Sequence, residues 1–212
     1  MKQKRRWFKM GLIAKYEGGT DYKPIEEGVH VSRCVSIIDL GQQGSDFYEG
    51  TKQKILIVWE IPDETYEKNG EEVARQISKE FTMSLHEKST LRKTLESWRS
   101  RQFTDEELAG FDLINILNKG CQIQIVNVEK NGKTYSNIQA IMALPKGTKI
   151  EEAEKTTVFD LDDKEALRKI TLLPEWIQNK IMKSTTYLEK LGTGEILQGE
   201  PVDDDSEEDF PF

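Results

Sequence analysis

Residues 54–61, Lys-Ile-Leu-Ile-Val-Trp-Glu-Ile, are the stretch that most narrows what this chain can fold into. Six of the eight side chains are apolar, and most of these are β-branched. A run this short and this apolar is typical of a β-strand that is buried on both faces, or nearly so. The sequence therefore predicts such a strand here, ended by Pro62.

Four further segments have the β-branched content or the two-residue alternation of strands: residues 28–40, 73–85, 121–129 and 134–144. The last two are separated by Asn131-Gly132, a dipeptide typical of a two-residue hairpin turn. Asn69-Gly70 predicts a second turn, and the polar, glycine-bearing residues 41–50 predict a loop. Five strands in all are expected.

Between the third and fourth strands the apolar period becomes helical, through Leu91, Leu95 and Trp98. Ser84 and Glu87 have the spacing of a capping box at the start of this helix. Thr104 and Glu107 form a second capping box, which predicts a short helix that stops near Gly110.

The order of elements is thus three strands, one helix and two strands, which is the order of the OB-fold. We predict a mainly β protein with a five-stranded OB-fold barrel over residues 28–145; a generic α+β domain with the same elements is the alternative. A basic arm and lead-in, residues 1–27, would precede the barrel. Residues 146–190 would form a linker and short helices, which could pack on the barrel or build a homodimer. Residues 191–212 would be a flexible, disordered acidic tail.

Charge is unevenly distributed along the 212 residues. The formal net charge is −8, but residues 200–212 contain seven acidic side chains and no basic one. The rest of the chain has 31 acidic and 30 basic residues. A body so close to neutral can still present a basic groove, so the overall acidity does not exclude a nucleic-acid partner.

Other classes of protein lack support in the sequence. Cys34 and Cys121 lie in strand-like runs, where a buried thiol is the default, and no cysteine–histidine cluster suggests zinc. No apolar run reaches the ~18–20 residues needed to cross a bilayer. No catalytic constellation is visible, so neither an enzyme nor a cofactor is expected.

Aromatic and basic residues fall where an OB-fold binds single strands, on its middle strands and in its first–second and fourth–fifth strand loops. The predicted site for single-stranded DNA (ssDNA) comprises Phe47, Tyr48, Lys52, Lys54, Trp59, Arg75, Lys79, Lys133 and Tyr135. Tyr135, directly after the hairpin turn, is the best candidate for exposure. Phe81 and Trp98 are expected in the core. Trp59 is open between core and stacking platform, because its neighbours are apolar on both faces.

The end of the chain combines an acidic run with an apolar tip. The predicted partner-binding tail comprises Asp203, Asp204, Asp205, Glu207, Glu208, Asp209, Phe210, Pro211 and Phe212. So little apolar surface cannot fold alone, but it suits another protein's pocket. This tip resembles the C-terminus of bacterial single-stranded DNA-binding proteins. A tail that only confers solubility is the alternative.

Four motifs resemble phage-encoded single-stranded DNA-binding proteins: Gly-Leu-Ile-Ala-Lys-Tyr-Glu-Gly-Gly at 11–19, Trp-Glu-Ile-Pro-Asp-Glu at 59–64, Phe-Asp-Leu at 111–113 and Leu-Pro-Lys-Gly at 144–147. The resemblance implies an OB-fold that coats ssDNA, without strong sequence preference, during phage replication and recombination in the host cytoplasm. The tail would dock onto replication, recombination or repair proteins. Residues 1–9 depart from the pattern, which leaves Met1 and Met10 both open as the start.

A function of another class also fits the charge distribution. The protein could be an acidic interaction protein, or a DNA mimic, that inhibits a host nucleic-acid enzyme without binding DNA. Salt-sensitive binding to an oligonucleotide would distinguish the two functions.

Overall fold

The computed structural model describes residues 23–45, 48–68, 70–163 and 165–192. The arm upstream of Lys23, Phe47 and the acidic tail lie outside the described residues, as does the side chain of Tyr48. The strands are β1 (Gly28–Ser45), β2 (Tyr48–Lys68), β3 (Glu71–Thr82), β4 (Gly120–Lys130), β5 (Lys133–Met142) and β6 (Thr157–Phe159). The helices are α1 (Thr90–Arg99), α2 (Asp105–Ala109), α3 (Glu175–Met182) and α4 (Thr185–Gly192), with 3₁₀ turns at Leu113–Ile116 and Ala166–Leu172.

Five strands form an antiparallel sheet in the order β3-β2-β1-β4-β5, and β6 pairs in parallel with β1. Helix α1 lies between β3 and β4 in the chain. At the seam between the outermost strands, the Lys79 ammonium of β3 donates to the Ile138 carbonyl of β5, 3.1 Å away. The predicted OB-like barrel with additional helices is therefore confirmed.

The barrel interior is filled by alternate residues of its strands and by α1. The helix contributes its buried Leu91, Leu95 and Trp98, as its apolar stripe predicted. The Trp98 indole donates to the Gly120 carbonyl at 2.8 Å, which fixes α1 against β4. Phe81 is buried in the same core, so the prediction that it is a core residue is confirmed.

A second apolar layer covers the outside of β1 and β2. Residues 157–163 and 165–192, which we call the C-terminal cap, supply Phe159, Leu161, Ile170, Leu173, Ile177 and Ile181 to it. They pack on Val35, Ile38, Leu40, Leu56 and Val58. Within residues 54–61, odd-numbered apolar side chains face the barrel interior and even-numbered ones face the cap. The predicted burial of this strand on both faces is confirmed.

Several predicted boundaries are wrong. Pro62 does not end β2, which continues to Lys68 past a register shift between Ile61 and Thr65. Most of the predicted loop at 41–50 belongs to β1 and β2. Local patterns stop a strand at proline or glycine, whereas here bulges absorb these residues and pairing resumes beyond them.

Of the two capping predictions, one is wrong and one is confirmed. Ser89, not Ser84, is the N-cap of α1, and its hydroxyl accepts from the Arg92 amide. The capping box of Thr104 and Glu107 is confirmed. The hairpin turn is confirmed as well, since Asn131 and Gly132 both have positive φ, 54° and 70°. Strand β6, which falls inside the predicted linker, was not expected.

Candidate nucleic-acid interface

The β4–β5 hairpin presents basic and apolar side chains on one face. Lys130 pairs with Lys133 beside the turn, and Val128 pairs with Tyr135 two positions further in. Because strand side chains alternate, these four residues share one face, which we call the hairpin face. Val128 and Tyr135 are each 46% exposed.

This arrangement suits a ligand that is both flat and anionic. Lys130 and Lys133 face each other directly, and like charges in that position destabilise a hairpin. An anion between them would relieve the repulsion. The exposed Tyr135 ring beside them offers a stacking surface, and ssDNA supplies both phosphates and flat bases.

Three other predicted basic residues are half-buried and already bonded within the protein. The Lys54 ammonium donates to the Thr82 hydroxyl at 2.8 Å, and Lys79 donates across the seam of the barrel. The Arg75 guanidinium donates to the Lys23 carbonyl and lies 5.7 Å from the centre of the Tyr66 ring. These bonds link Lys54 to β3, Lys79 to β5 and Arg75 to the segment before β1. Lys52 is exposed on β2.

Trp59 is not a stacking platform, and the prediction that it binds bases is corrected. Its side chain is fully buried in the barrel interior, with ring centres 5.9 Å from Trp98 and 6.4 Å from Phe81. Its neighbours are apolar on both faces because the C-terminal cap covers the opposite one. A base cannot reach this ring while the barrel is folded.

The C-terminal cap also changes which strand surface is available. An OB-fold commonly binds oligonucleotides on the outer face of strands 2 and 3. Here Leu56 and Val58 of β2 are buried beneath the cap, and Lys180 of α3 forms an ion pair with Glu80 of β3. Much of the usual surface is therefore occupied by the protein itself, whereas the hairpin face is open.

One exposed aromatic residue was missed by the sequence analysis. Of the three tryptophans in the described residues, Trp176 alone is exposed, at 52%. The exposed Asn179 follows it at a spacing of three residues on α3, and the exposed Lys183 comes directly after the helix. The sequence shows Trp176 and Lys183 seven residues apart, but the prediction for residues 146–190 went no further than a linker and short helices.

The described residues offer little for covalent or metal chemistry. Burial raises the pKa of the Cys34 thiol to about 12 and also raises that of Cys121, so neither is a ready nucleophile. No cluster of three metal-ligating side chains occurs in the described ranges. Among the same residues, no helix is long and apolar enough to cross a membrane.

Comparisons with known proteins do not assign the chain to a family. No protein-family model matches the sequence, and no curated protein matches it either. The resemblance to phage single-stranded DNA-binding proteins therefore stays a prediction.

Proposed function

We propose that this protein binds ssDNA on its hairpin face, without strong sequence preference. Tyr135 would stack on a base, with Val128 as its apolar neighbour, and Lys130 and Lys133 would contact the flanking phosphates. The observation that carries this proposal is the pairing of an exposed aromatic residue with two lysines on a hairpin of an OB-like barrel. Lys52, exposed on β2, is a further candidate for phosphate contact.

The acidic tail completes the proposed function. Phe210 and Phe212 would insert into a basic-rimmed apolar pocket of a replication, recombination or repair protein, with the acidic residues of 203–209 steering the approach. The protein would act in this way during phage DNA replication and recombination, as a binding protein rather than an enzyme. Sequence alone supports this part of the proposal.

Fluorescence anisotropy of a labelled oligothymidylate tests the hairpin face. Intrinsic tryptophan emission is a poor readout, because Trp59 and Trp98 are buried. Removal of one stacked base contact costs about 1–3 kcal/mol, so Tyr135→Ala should weaken binding about 5- to 150-fold. Lys93→Glu, an exposed charge change on α1, is the matched control for Lys133→Glu and should change affinity less than Lys133→Glu does.

Three results would count against this function. The hairpin face is the wrong surface if Tyr135→Ala and Lys133→Glu bind like the wild-type protein. Tighter binding to duplex than to single strands would contradict stacking on bases. Absence of salt-sensitive binding by the wild-type protein would favour the acidic interaction protein instead.

Removal of residues 203–212 tests the tail separately. The acidic run can compete with DNA for the lysines, so truncation should tighten binding to ssDNA and abolish recruitment of a partner. The proposal for the tail is wrong if truncation changes neither property.

A further inference from the structure

Beyond the hairpin face, the outer surface of β4 and β5 continues as an open strip of uncharged side chains. The buried side chains of both strands belong to the barrel core, so the alternate side chains face outwards. Six residues form this strip, which we call the outer β4–β5 face: the cross-strand pairs Gln122–Met142, Gln124–Ala140 and Val126–Asn137. None of the six is buried, and none belongs to the apolar layer beneath the C-terminal cap.

Acidic residues are absent from the strands around this strip. They make up 38 of the 212 residues of the chain, yet residues 28–33, 120–128 and 133–142 contain none. These ranges include the outer β4–β5 face and the part of β1 that pairs with β4. Strand structure alone does not explain this, because β2 and β3 together contain eight. A polyanion can therefore lie along the strip without meeting a carboxylate from the strands beneath it.

A lysine-bearing turn is packed over the far end of the same strip. Gly120, the first residue of β4, belongs to the outward-facing series of that strand. A Cβ atom there would lie 2.5 Å from the Leu144 Cδ1 atom and 2.6 Å from the Ile150 Cγ2 atom. The segment between these two side chains therefore covers the start of β4 closely. It carries two exposed lysines, Lys146 and Lys149.

Lysines thus lie at both ends of the outer β4–β5 face. Lys130 and Lys133 of the hairpin face are at one end, and Lys146 and Lys149 are at the other. Within the described ranges, none of these four ammonium groups has a hydrogen bond or an ion pair. From the Lys130–Lys133 pair to the Gln122–Met142 pair, β4 advances by eight residues, or about 27 Å at the rise of a strand.

The side chains between the two groups of lysines suit unpaired bases. The amides of Gln122, Gln124 and Asn137 each donate and accept hydrogen bonds, so they can bond to the edge of any base. Val126 and Met142 offer apolar contact to bases and sugars. A duplex conceals the Watson–Crick edges of its bases, whereas a single strand presents them.

We propose that the bound strand runs from the hairpin face along the outer β4–β5 face to the turn at residues 144–150, where Lys146 and Lys149 contact its phosphates. This inference rests on the proposed ssDNA binding. It adds a second phosphate-binding end to the site and a footprint longer than the hairpin face alone. Glu151 and Glu152 come directly after the turn, so the acid-free path ends there.

Length dependence tests whether one strand joins the two ends. Anisotropy titrations would compare labelled oligothymidylates of four and twelve nucleotides. A tetramer has three steps and would need about 9 Å in each to span about 27 Å, far more than the ~3.4 Å of a stacked strand. The dodecamer should therefore bind more tightly than the tetramer, because it alone reaches the turn.

Lys146→Gln/Lys149→Gln tests the far end. Two lost phosphate contacts, at a salt slope of about 0.7 each, should weaken dodecamer binding about 14-fold at 0.15 M salt and by less towards 1 M. Tetramer affinity should change less than about twofold, because a tetramer held at Tyr135 does not touch the turn. The matched control, Lys88→Gln/Lys93→Gln, removes two exposed cations elsewhere and should leave both affinities within about twofold of the wild type.

Gln124→Glu tests the middle of the path with a nearly isosteric change. A carboxylate about 4 Å from a phosphate at a water-exposed surface should weaken dodecamer binding at least about fivefold. Asn179→Asp makes the same amide-to-acid change at an exposed position of α3 and should have a smaller effect. Urea unfolding of each variant checks that it is folded.

The outcomes separate this inference from the proposed function. If Tyr135→Ala weakens binding but both lysine pairs behave alike, the path is wrong and binding at the hairpin face stands. If Gln124→Glu leaves DNA affinity unchanged and instead alters the sedimentation of the DNA-free protein, a second copy covers the strip and the path is also wrong. A larger effect of Asn179→Asp than of Gln124→Glu would place the strand on the cap. If the wild-type protein does not bind ssDNA, both proposals fail.

Discussion

Gly41 is the position where a single methyl group should test how tightly the C-terminal cap is attached. It lies in β1 with a φ of +73°, a conformation that alanine adopts only at a cost. A Cβ atom here would lie 2.6 Å from the Ser184 hydroxyl oxygen and 2.8 Å from the Ser184 Cβ. Ser184 is fully buried between α3 and α4, and its hydroxyl accepts from the Tyr187 amide, so it has little freedom to move away.

The expected cost of Gly41→Ala follows from two penalties and one offset. The left-handed backbone costs an alanine about 1–2 kcal/mol. Overpacking against Ser184 adds about 1–3 kcal/mol. The smaller entropy of the unfolded alanine chain offsets about 0.4–1 kcal/mol. We expect the free energy of unfolding to fall by about 1–5 kcal/mol, measured by urea denaturation.

Two glycines provide matched controls, because a Cβ at either would meet nothing within 4 Å. Gly50 has a φ of +82°, so Gly50→Ala isolates the backbone cost. Gly44 lacks a positive φ of that kind, so Gly44→Ala should be nearly neutral. If Gly41→Ala is no more destabilising than Gly50→Ala, the cap is not packed closely on β1 and the reasoning is refuted. Hydrogen exchange should also rise in α3 and α4 for Gly41→Ala alone.

Three further predictions concern buried and charged groups. The pKa of Cys34 is raised to about 12, and that of Cys121 is raised as well. At pH 8 the native thiols should therefore react with a disulfide reagent about 1000-fold more slowly than the thiols of the denatured protein. Comparable rates would contradict the burial of both thiols. Hydrogen bonding, above all from Arg101, lowers the pKa of Glu107 from 4.5 to about 2, so its contribution to stability is present above about pH 4.5 and lost towards pH 2. The difference in unfolding free energy between the wild type and Glu107→Gln should shrink over that interval, and a constant difference would refute the assignment. Phe81→Ala should cost about 3–5 kcal/mol in urea denaturation, because the ring is buried in the barrel core; a loss under 1 kcal/mol would place the ring elsewhere.

Local chemistry accounts for the parts of the fold that the sequence predicts well. The Asn131-Gly132 turn and the capping box at Thr104 involve residues within a few positions of one another, so no distant contact has to be known. The helical stripe of α1 was predictable for the same reason. Element order was then enough to indicate an OB-like barrel.

Distant contacts account for what the sequence analysis missed. Trp59 has apolar neighbours on both faces, and only the position of the cap decides which of the two faces is the barrel interior. Strand β6 has three residues and pairs with residues 36–38 of β1, beyond the part of β1 that pairs with β4. The grouping of Tyr135 with Lys130 and Lys133 was within reach, because hairpin register follows from the turn. The hydrogen bond from Lys79 to the Ile138 carbonyl could not be predicted from the sequence, because it depends on closure of the barrel.

The second apolar layer has a consequence for synthesis of the chain. Ile38 and Leu40 of β1 leave the ribosome early, but Ile177 and Ile181, which cover this face, follow more than 130 residues later. Until then β1 and β2 expose an apolar surface of the kind that aggregates or binds chaperones. Emergence of the C-terminal cap, rather than of the barrel strands, is therefore the step that covers this apolar surface.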